Sequence, residues 1–203
     1  MRIIVTGTTG GIGGAVKTAA ISRGHEVVDF NRDEFGAIDS DQRAPFPAEG
    51  PFDAVAFCTG TCPVRPVALT SDALLAETVR VNCGLFLSLM RRIVADRIAG
   101  PGGLRAVAVS SVSATEGWAG GAAYCASKGA LSALCRALDA ELAPKRISVR
   151  ALEPRYVKTR MFDDCAGRMG VDPVLAIDPA VFADEILDTL ECKGGTCPSP
   201  TGL

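Results

Sequence analysis

Short apolar runs alternate along the chain with longer stretches in which apolar residues return every three or four positions. Ile3–Val5, Glu26–Phe30, Ala54–Cys58, Leu104–Val109 and Ile147–Leu152 are rich in Val, Ile and Ala and read as strands, several of them buried on both faces. Helical spacing runs from Ile12 to about Arg23, closed by Gly24, and again from Ala122 to Leu142, ending before Pro144. A further helix starts at Ser71-Asp72, passes Leu75, Val79, Leu85, Leu89 and Ile93, and continues to about Ala99, where Pro101-Gly102-Gly103 stops it. Asp178-Pro179 pairs an N-cap with a first-turn proline and opens a last helix to about Leu190. Between Asn31 and Pro51 the signal is polar and proline-rich, with room for little beyond a short strand near Ala37–Asp39. Arg160 to Ile177 reads as a brief lid, and beyond Cys192 there is support for at most an edge strand. Such alternation predicts βαβ units, and so an α/β fold: a doubly wound, mostly parallel sheet in three αβα layers, as one domain over 1–203.

Charge narrows the function classes. Lys and Arg number 21 against 23 Asp and Glu, which supplies no basic field for a nucleic acid. Mean hydropathy is +0.25, yet no uninterrupted apolar run approaches the roughly 20 residues of a membrane span, so no membrane partner is expected. The opening Met1–Gly7 lacks the pattern of a secretory signal, and a cytoplasmic location is expected. Cys58, Cys83, Cys125 and Cys135 sit in apolar segments, as free thiols do. Cys58/Cys62 and Cys192/Cys197 lack zinc-ribbon pairing, so no metal is expected.

Between the first strand and first helix lies Thr6-Gly7-Thr8-Thr9-Gly10-Gly11-Ile12-Gly13. Small residues there let the backbone approach a pyrophosphate, and the helix start offers free amides and a positive dipole end. The second strand then ends at Asn31-Arg32, where an acid would favour NAD and a base would meet a 2′-phosphate. With Asn31 uncharged and Arg32 a phosphate fork, NADP (NADPH) is favoured and NAD remains possible.

Tyr124 and Lys128 stand four residues apart at the start of a predicted helix, hence on one face. A phenol titrates near 10, and a neighbouring ammonium lowers that value, which suits the pair to acid–base work. Ser110 and Ser111 close the preceding strand, at the sheet edge where open α/β folds bind ligands.

Taken in order, these motifs resemble those of the short-chain dehydrogenase/reductase family, over about Arg2 to Leu190. Thr6-Gly7…Gly11-Ile12-Gly13 is similar to its cofactor motif, Tyr124…Lys128 to its active-site pair, and Ser111, thirteen residues before the tyrosine, to its serine. Val81-Asn82 resembles the family's helix asparagine, and Cys58-Thr59-Gly60 stands where Asn-Ala-Gly is usual. The resemblance implies a Rossmann-like fold and hydride transfer between a nicotinamide and a ketone, aldehyde or alcohol. Within it, Tyr124 exchanges the proton, Lys128 acidifies it and holds the ribose, Ser111 polarises the carbonyl, and Asn82 kinks its helix and positions a water. It also implies an adenine contact at Asp39, cofactor contacts at Pro154, Val157 and Thr159, and a homodimer or homotetramer through the two long helices.

Three departures follow. The interval Arg32–Ala54 is too short for the usual excursion, Arg155 replaces a glycine in Pro-Gly-x-Val-x-Thr, and the lid is brief. Ser113, Trp118, Arg155, Tyr156 and Met161 are the substrate-side candidates, Arg155 as a binder of an anionic substrate or cofactor phosphate. Phe162, Met169 and Val171 either line a pocket or pack in the core. The competing class is a catalytically silent nucleotide sensor or scaffold of the same fold.

Overall fold

The computed structural model describes residues 1–192 apart from 32, 37–45, 47 and 48. Strands β1 (Arg2–Thr6), β2 (Glu26–Phe30), β3 (Ala54–Phe57), β4 (Leu104–Val109) and β5 (Ile147–Leu152) lie in the order β2-β1-β3-β4-β5. Every neighbouring pair is parallel; Ile4 stands opposite Val28 and Val55, and Ala106 opposite Val55 and Val149. The chain winds outward from β1 to β2, then from β3 to β5, so its direction reverses between β1 and β3. Ligands of open α/β sheets bind outside the carboxyl ends at such a point.

Side chains alternate across a strand, so each strand feeds two cores. Ile4, Val55, Phe57 and Ala106 face α3 (Leu85–Ala95) and α4 (Ala122–Leu142), meeting Phe86, Leu89 and Leu131. Ile3, Val5, Ala56 and Val107 face α1 (Gly11–Ser22) and a C-terminal helix (Pro179–Glu191), meeting Val16, Phe182 and Ile186. That helix begins as expected, with the Asp178 carboxylate accepting from Ala180 N at 2.7 Å and proline in the first turn. It buries Phe182, Ile186, Leu187 and Leu190 completely, each contributing about 1.5–3 kcal/mol. Arg23, at the end of α1, donates to Asp184 and Asp188 at 2.6 and 2.7 Å. These pairs are half exposed and each adds at most about 1 kcal/mol, so apolar burial holds the helix.

Two elements differ from expectation. The helix from Ser71 ends at Ala95 and not near Ala99: Arg97 turns with φ 55, and Ala99 then pairs with Phe52 beside the sheet. It is also in three parts, α2 (Asp72–Val79), a wide π-type turn Arg80–Gly84, and α3. By length and mean hydropathy (1.4) this 24-residue stretch would be long and apolar enough to cross a membrane, although charged residues interrupt it and it contains no unbroken apolar run of that length. Here its apolar stripe (Leu85, Phe86, Leu89, Met90, Ile93) packs on the sheet.

The lid is more ordered than its sequence suggests. Thr159 caps α5 (Arg160–Met169), accepting from Phe162 N at 3.2 Å, and Gly170 closes it at φ 67. Ile177 then exchanges backbone bonds with Tyr156 and Lys158, tying both ends of the lid together. The short strand expected near Ala37–Asp39 and the edge strand after Cys192 lie outside the described residues.

Candidate active site

β1 must turn into α1 within a few residues, and two glycines make that turn possible. Gly7 has φ +67, and a Cβ there would stand 3.1 Å from the Cys58 carbonyl. At Gly13 a Cβ would lie 2.3 Å from Gly7 O, so α1 starts against the end of β1 only without a side chain. Gly10 precedes α1 and supplies no side-chain cap, so the first-turn amides and the positive helix end face the cleft. That is a cradle for phosphate oxygens. Gly13→Ala is expected to weaken dinucleotide binding at least about tenfold and to lower stability by about 1–3 kcal/mol. Calorimetry and thermal melting check both; unchanged values would mean that the close approach is dispensable.

Thr6 ties the cradle to the next strand, its Oγ1 accepting from Cys58 N, Thr59 N and Thr59 Oγ1 at 3.0, 3.1 and 2.9 Å. Asn31 holds the loop from the other side. Its Oδ1 accepts from Thr8 N at 3.1 Å, its Nδ2 donates to Thr8 Oγ1 at 3.1 Å, and its backbone amide donates to Glu34 at 2.8 Å.

At the ends of β4 and α4 the acid–base candidates meet. Tyr124 and Ser111 line the same cleft, and Lys128 Nζ lies 5.7 Å from the Tyr124 ring centroid. Lys128 is buried and donates to Val109 O at 2.7 Å. Burial lowers its titration to about 8, against the opposing influence of Cys62, Cys58, Cys135 and Cys83. Burial also raises the Tyr124 phenol above its ordinary value, with Ser111 pulling it down. The expectation of a phenol acidified by Lys128 is thus corrected: desolvation of the phenolate outweighs the neighbouring cation.

Asn82 is fully buried in the π-type turn that interrupts its helix. Its Nδ2 donates to Thr61 O and Ser127 Oγ, both at 2.8 Å, and its Oδ1 accepts from Thr61 N at 2.7 Å. Ser127 in turn donates to Tyr124 O at 2.7 Å. The amide therefore fastens the loop after β3 to the helix carrying Tyr124.

A cleft of about 1510 Å³ runs over these strand ends. From the sequence candidates it is lined by Gly7, Thr9, Gly10, Gly11, Ile12, Gly13, Asn31, Cys58, Thr59 and Gly60 on the cradle side. Towards the lid come Ser111, Ser113, Trp118, Tyr124, Lys128, Pro154, Arg155, Tyr156, Val157, Thr159 and Met161. Thr8 and Asn82 act behind this lining through the bonds above, and Arg32 and Asp39 lie outside the described residues. Such a cleft, with glycines where a Cβ would collide, fits a dinucleotide. Arg155 forms a two-pronged pair with Glu116 at 2.9 and 3.1 Å. Sequence reasoning missed Thr61 and Glu116, and Cys62 and Cys165 as lining residues. Only Ser127, inside the Tyr-x-x-x-Lys stretch, carried a local signal.

Comparison with known proteins follows the same lines. The short chain dehydrogenase family profile matches residues 48–168. The short-chain reductase protein NovJ of Streptomyces niveus is 43% identical over 68 residues, which are 34% of this chain and 26% of that protein. A second curated relative is matched over 52% of its length, so the chain spans about a quarter to a half of these two. Among solved structures, an actinorhodin polyketide ketoreductase variant with NADPH superposes with a TM-score of 0.76 at 20% identity, covering 93% of this chain and 89% of that one. A 4-hydroxyisoleucine dehydrogenase complexed with NADH gives 0.73 at 19%, covering 92% and 89%. These structural likenesses establish the shared fold. Because the family match runs unbroken from the approach to β3 through α4 into α5, across the strand ends that frame the cleft, the chain belongs to the short chain dehydrogenase family.

Proposed function

We propose that the chain is an NADP(H)-preferring oxidoreductase that reduces a ketone or aldehyde to an alcohol. The observation that carries this reading is the placing of Tyr124 and Ser111 together in the cleft that the glycine cradle opens into, over buried Lys128, whose Nζ lies 5.7 Å from the Tyr124 ring centroid. The nicotinamide dinucleotide, when bound, supplies the hydride. The protein's own groups do the rest. Ser111 and Tyr124 offer hydroxyls to one carbonyl oxygen as negative charge develops there. Burial keeps the phenol protonated at neutral pH, the state that a proton donor to that oxygen requires. Lys128, Asn82 and Ser127 hold Tyr124 in place through the contacts above. The uncharged Asn31 side chain supports the NADP preference, while the Glu34 carboxylate on its backbone amide is the group beside it that would favour NADH.

The experiment is NADPH oxidation against a panel of neutral carbonyl compounds, with calorimetric titration of NADPH and NADH. NADPH binding at least about tenfold tighter than NADH is expected. Tighter NADH would remove the NADP preference, and binding without turnover across the panel would leave the silent sensor. We further propose a homodimer or homotetramer through the helices Asp72–Ala95 and Ala122–Leu142, where Leu75 and Leu87 are exposed. Light scattering that gives one chain's mass would refute it.

A further inference from the structure

Resting on the reading of this cleft as a carbonyl-reducing site, we infer that its substrate is an uncharged, bulky apolar ketone, selected by chain length and not by a carboxylate. The floor beside Tyr124 is built from Trp118, Tyr156, Phe162, Cys62 and Cys165. Phe162 and Cys165 are 8% and 6% exposed. The Tyr156 and Phe162 rings lie 5.6 Å apart between centroids, and those of Trp118 and Tyr124 6.3 Å. Trp118 spends its one polar group on Ser113 Oγ at 3.1 Å, which leaves the indole to present apolar surface.

The two sulfurs belong to that floor. Cys165 Sγ lies 3.5 Å from Cys62 O and joins α5 to the loop after β3. Burial, followed by the influence of Cys165, raises the Cys62 thiol well above its ordinary value. A thiol held neutral in this way is a small polarizable hydrophobe and a poor nucleophile.

Charge is kept at the rim. Arg155 is exposed there with both guanidinium prongs on Glu116, and Arg160 and Asp164 also reach the cleft from exposed positions. A substrate carboxylate inside the floor has to be desolvated among aromatic rings and thiols, and at the rim it competes with Glu116 for Arg155 or meets the exposed, solvent-screened Arg160. Lys128 gives its Nζ to Val109 O beneath the Tyr124 ring. A neutral alkyl or aryl group meets none of these obstacles. Arg155, expected as a binder of an anionic substrate or cofactor phosphate, is paired at the rim with Glu116.

Trp118 is the sole tryptophan, so its fluorescence reports occupancy of this floor without turnover. The full chain with NADP⁺ is titrated with 2-alkanones of increasing length, and with 2-octanone against 2-oxooctanoate. Kd is expected to fall about fourfold per added methylene, the equivalent of about 0.8 kcal/mol. The same slope is expected in kcat/KM with NADPH, and 2-oxooctanoate should bind at least about tenfold more weakly than 2-octanone. Phe162→Ala should flatten the slope for the longer ketones. A Kd independent of length, or tighter binding of the oxo acid, overturns the inference even if ketones are reduced. Ketones that bind with the expected slope yet are never reduced sink the reductase reading instead.

Discussion

Replacing Tyr124 by phenylalanine is expected to lower carbonyl reduction by about 10²–10⁴-fold while dinucleotide affinity stays within about threefold, because only the proton donor is lost. The substitution keeps the ring, its packing against Trp118 and its position over Lys128. It removes only the phenolic hydroxyl. Single-turnover kinetics beside calorimetric titration separates chemistry from binding. A variant that keeps a tenth or more of the turnover would exclude Tyr124 as the essential acid. The phenol's elevated titration also sets a direction: oxidation of an alcohol needs the phenolate and should accelerate with rising pH, whereas reduction should be fastest where the phenol is protonated. Initial rates in both directions across pH check this.

The second large effect concerns Lys128. Its ammonium titrates near 8 in the folded protein against 10.5 ordinarily, because burial disfavours the charge. Below about 8 both folded and unfolded chains carry the proton, and the folded state bears the full penalty of the buried charge. Between about 8 and 10.5 the unfolded chain holds a proton that the folded chain has shed, so this group's contribution to stability rises with pH. The rise amounts to about 3 kcal/mol. Lys128→Met removes the penalty but leaves Val109 O without its donor, a loss of about 1–3 kcal/mol. The variant is therefore expected to match or exceed the parent in stability near neutral pH and to lose about 2–3 kcal/mol relative to it between neutral pH and pH 10. Its turnover should drop at least about 10²-fold, since the cation under the Tyr124 ring is gone. Cys58 and Cys135, both pushed up to about 12 by burial, pull stability the opposite way with pH, but they do so in both proteins. Denaturant melts at the two pH values decide the matter. Parallel stability profiles for parent and variant would mean that Lys128 is not a buried cation.

Both predictions start from residues that the sequence already singled out. The glycine loop, Tyr124, Lys128 and Ser111 were legible because their signals are local: a strand before a turn, a helix after it, and four residues between two side chains. Strands β2, β4 and β5 and helix α4 were legible for the same reason, since periodicity and the Gly or Pro that ends each one lie within a few neighbours. The lid was harder to read. Its helix α5 has a threonine cap and a closing glycine, yet its anchorage depends on Val157 pairing with Ile177 across the intervening chain. The premature end of the helix at Ala95 likewise depends on Phe52, far away in sequence.

What the sequence alone determined is the alternating architecture and the identity of the chemistry-bearing residues, because hydrophobic period, turn residues and short motifs act over a few positions. Only the tertiary structure decided how those residues behave. Burial assembled from β3, β4, α4 and α5 turned a phenol expected to be acidic into one held protonated, and drove Lys128 down towards neutrality. Tertiary contacts spent the buried Asn82 amide on Thr61 and Ser127, and the exposed Arg155 on Glu116. Desolvation and hydrogen-bond partnership are properties of packed neighbours from distant parts of the chain, and no local pattern encodes them.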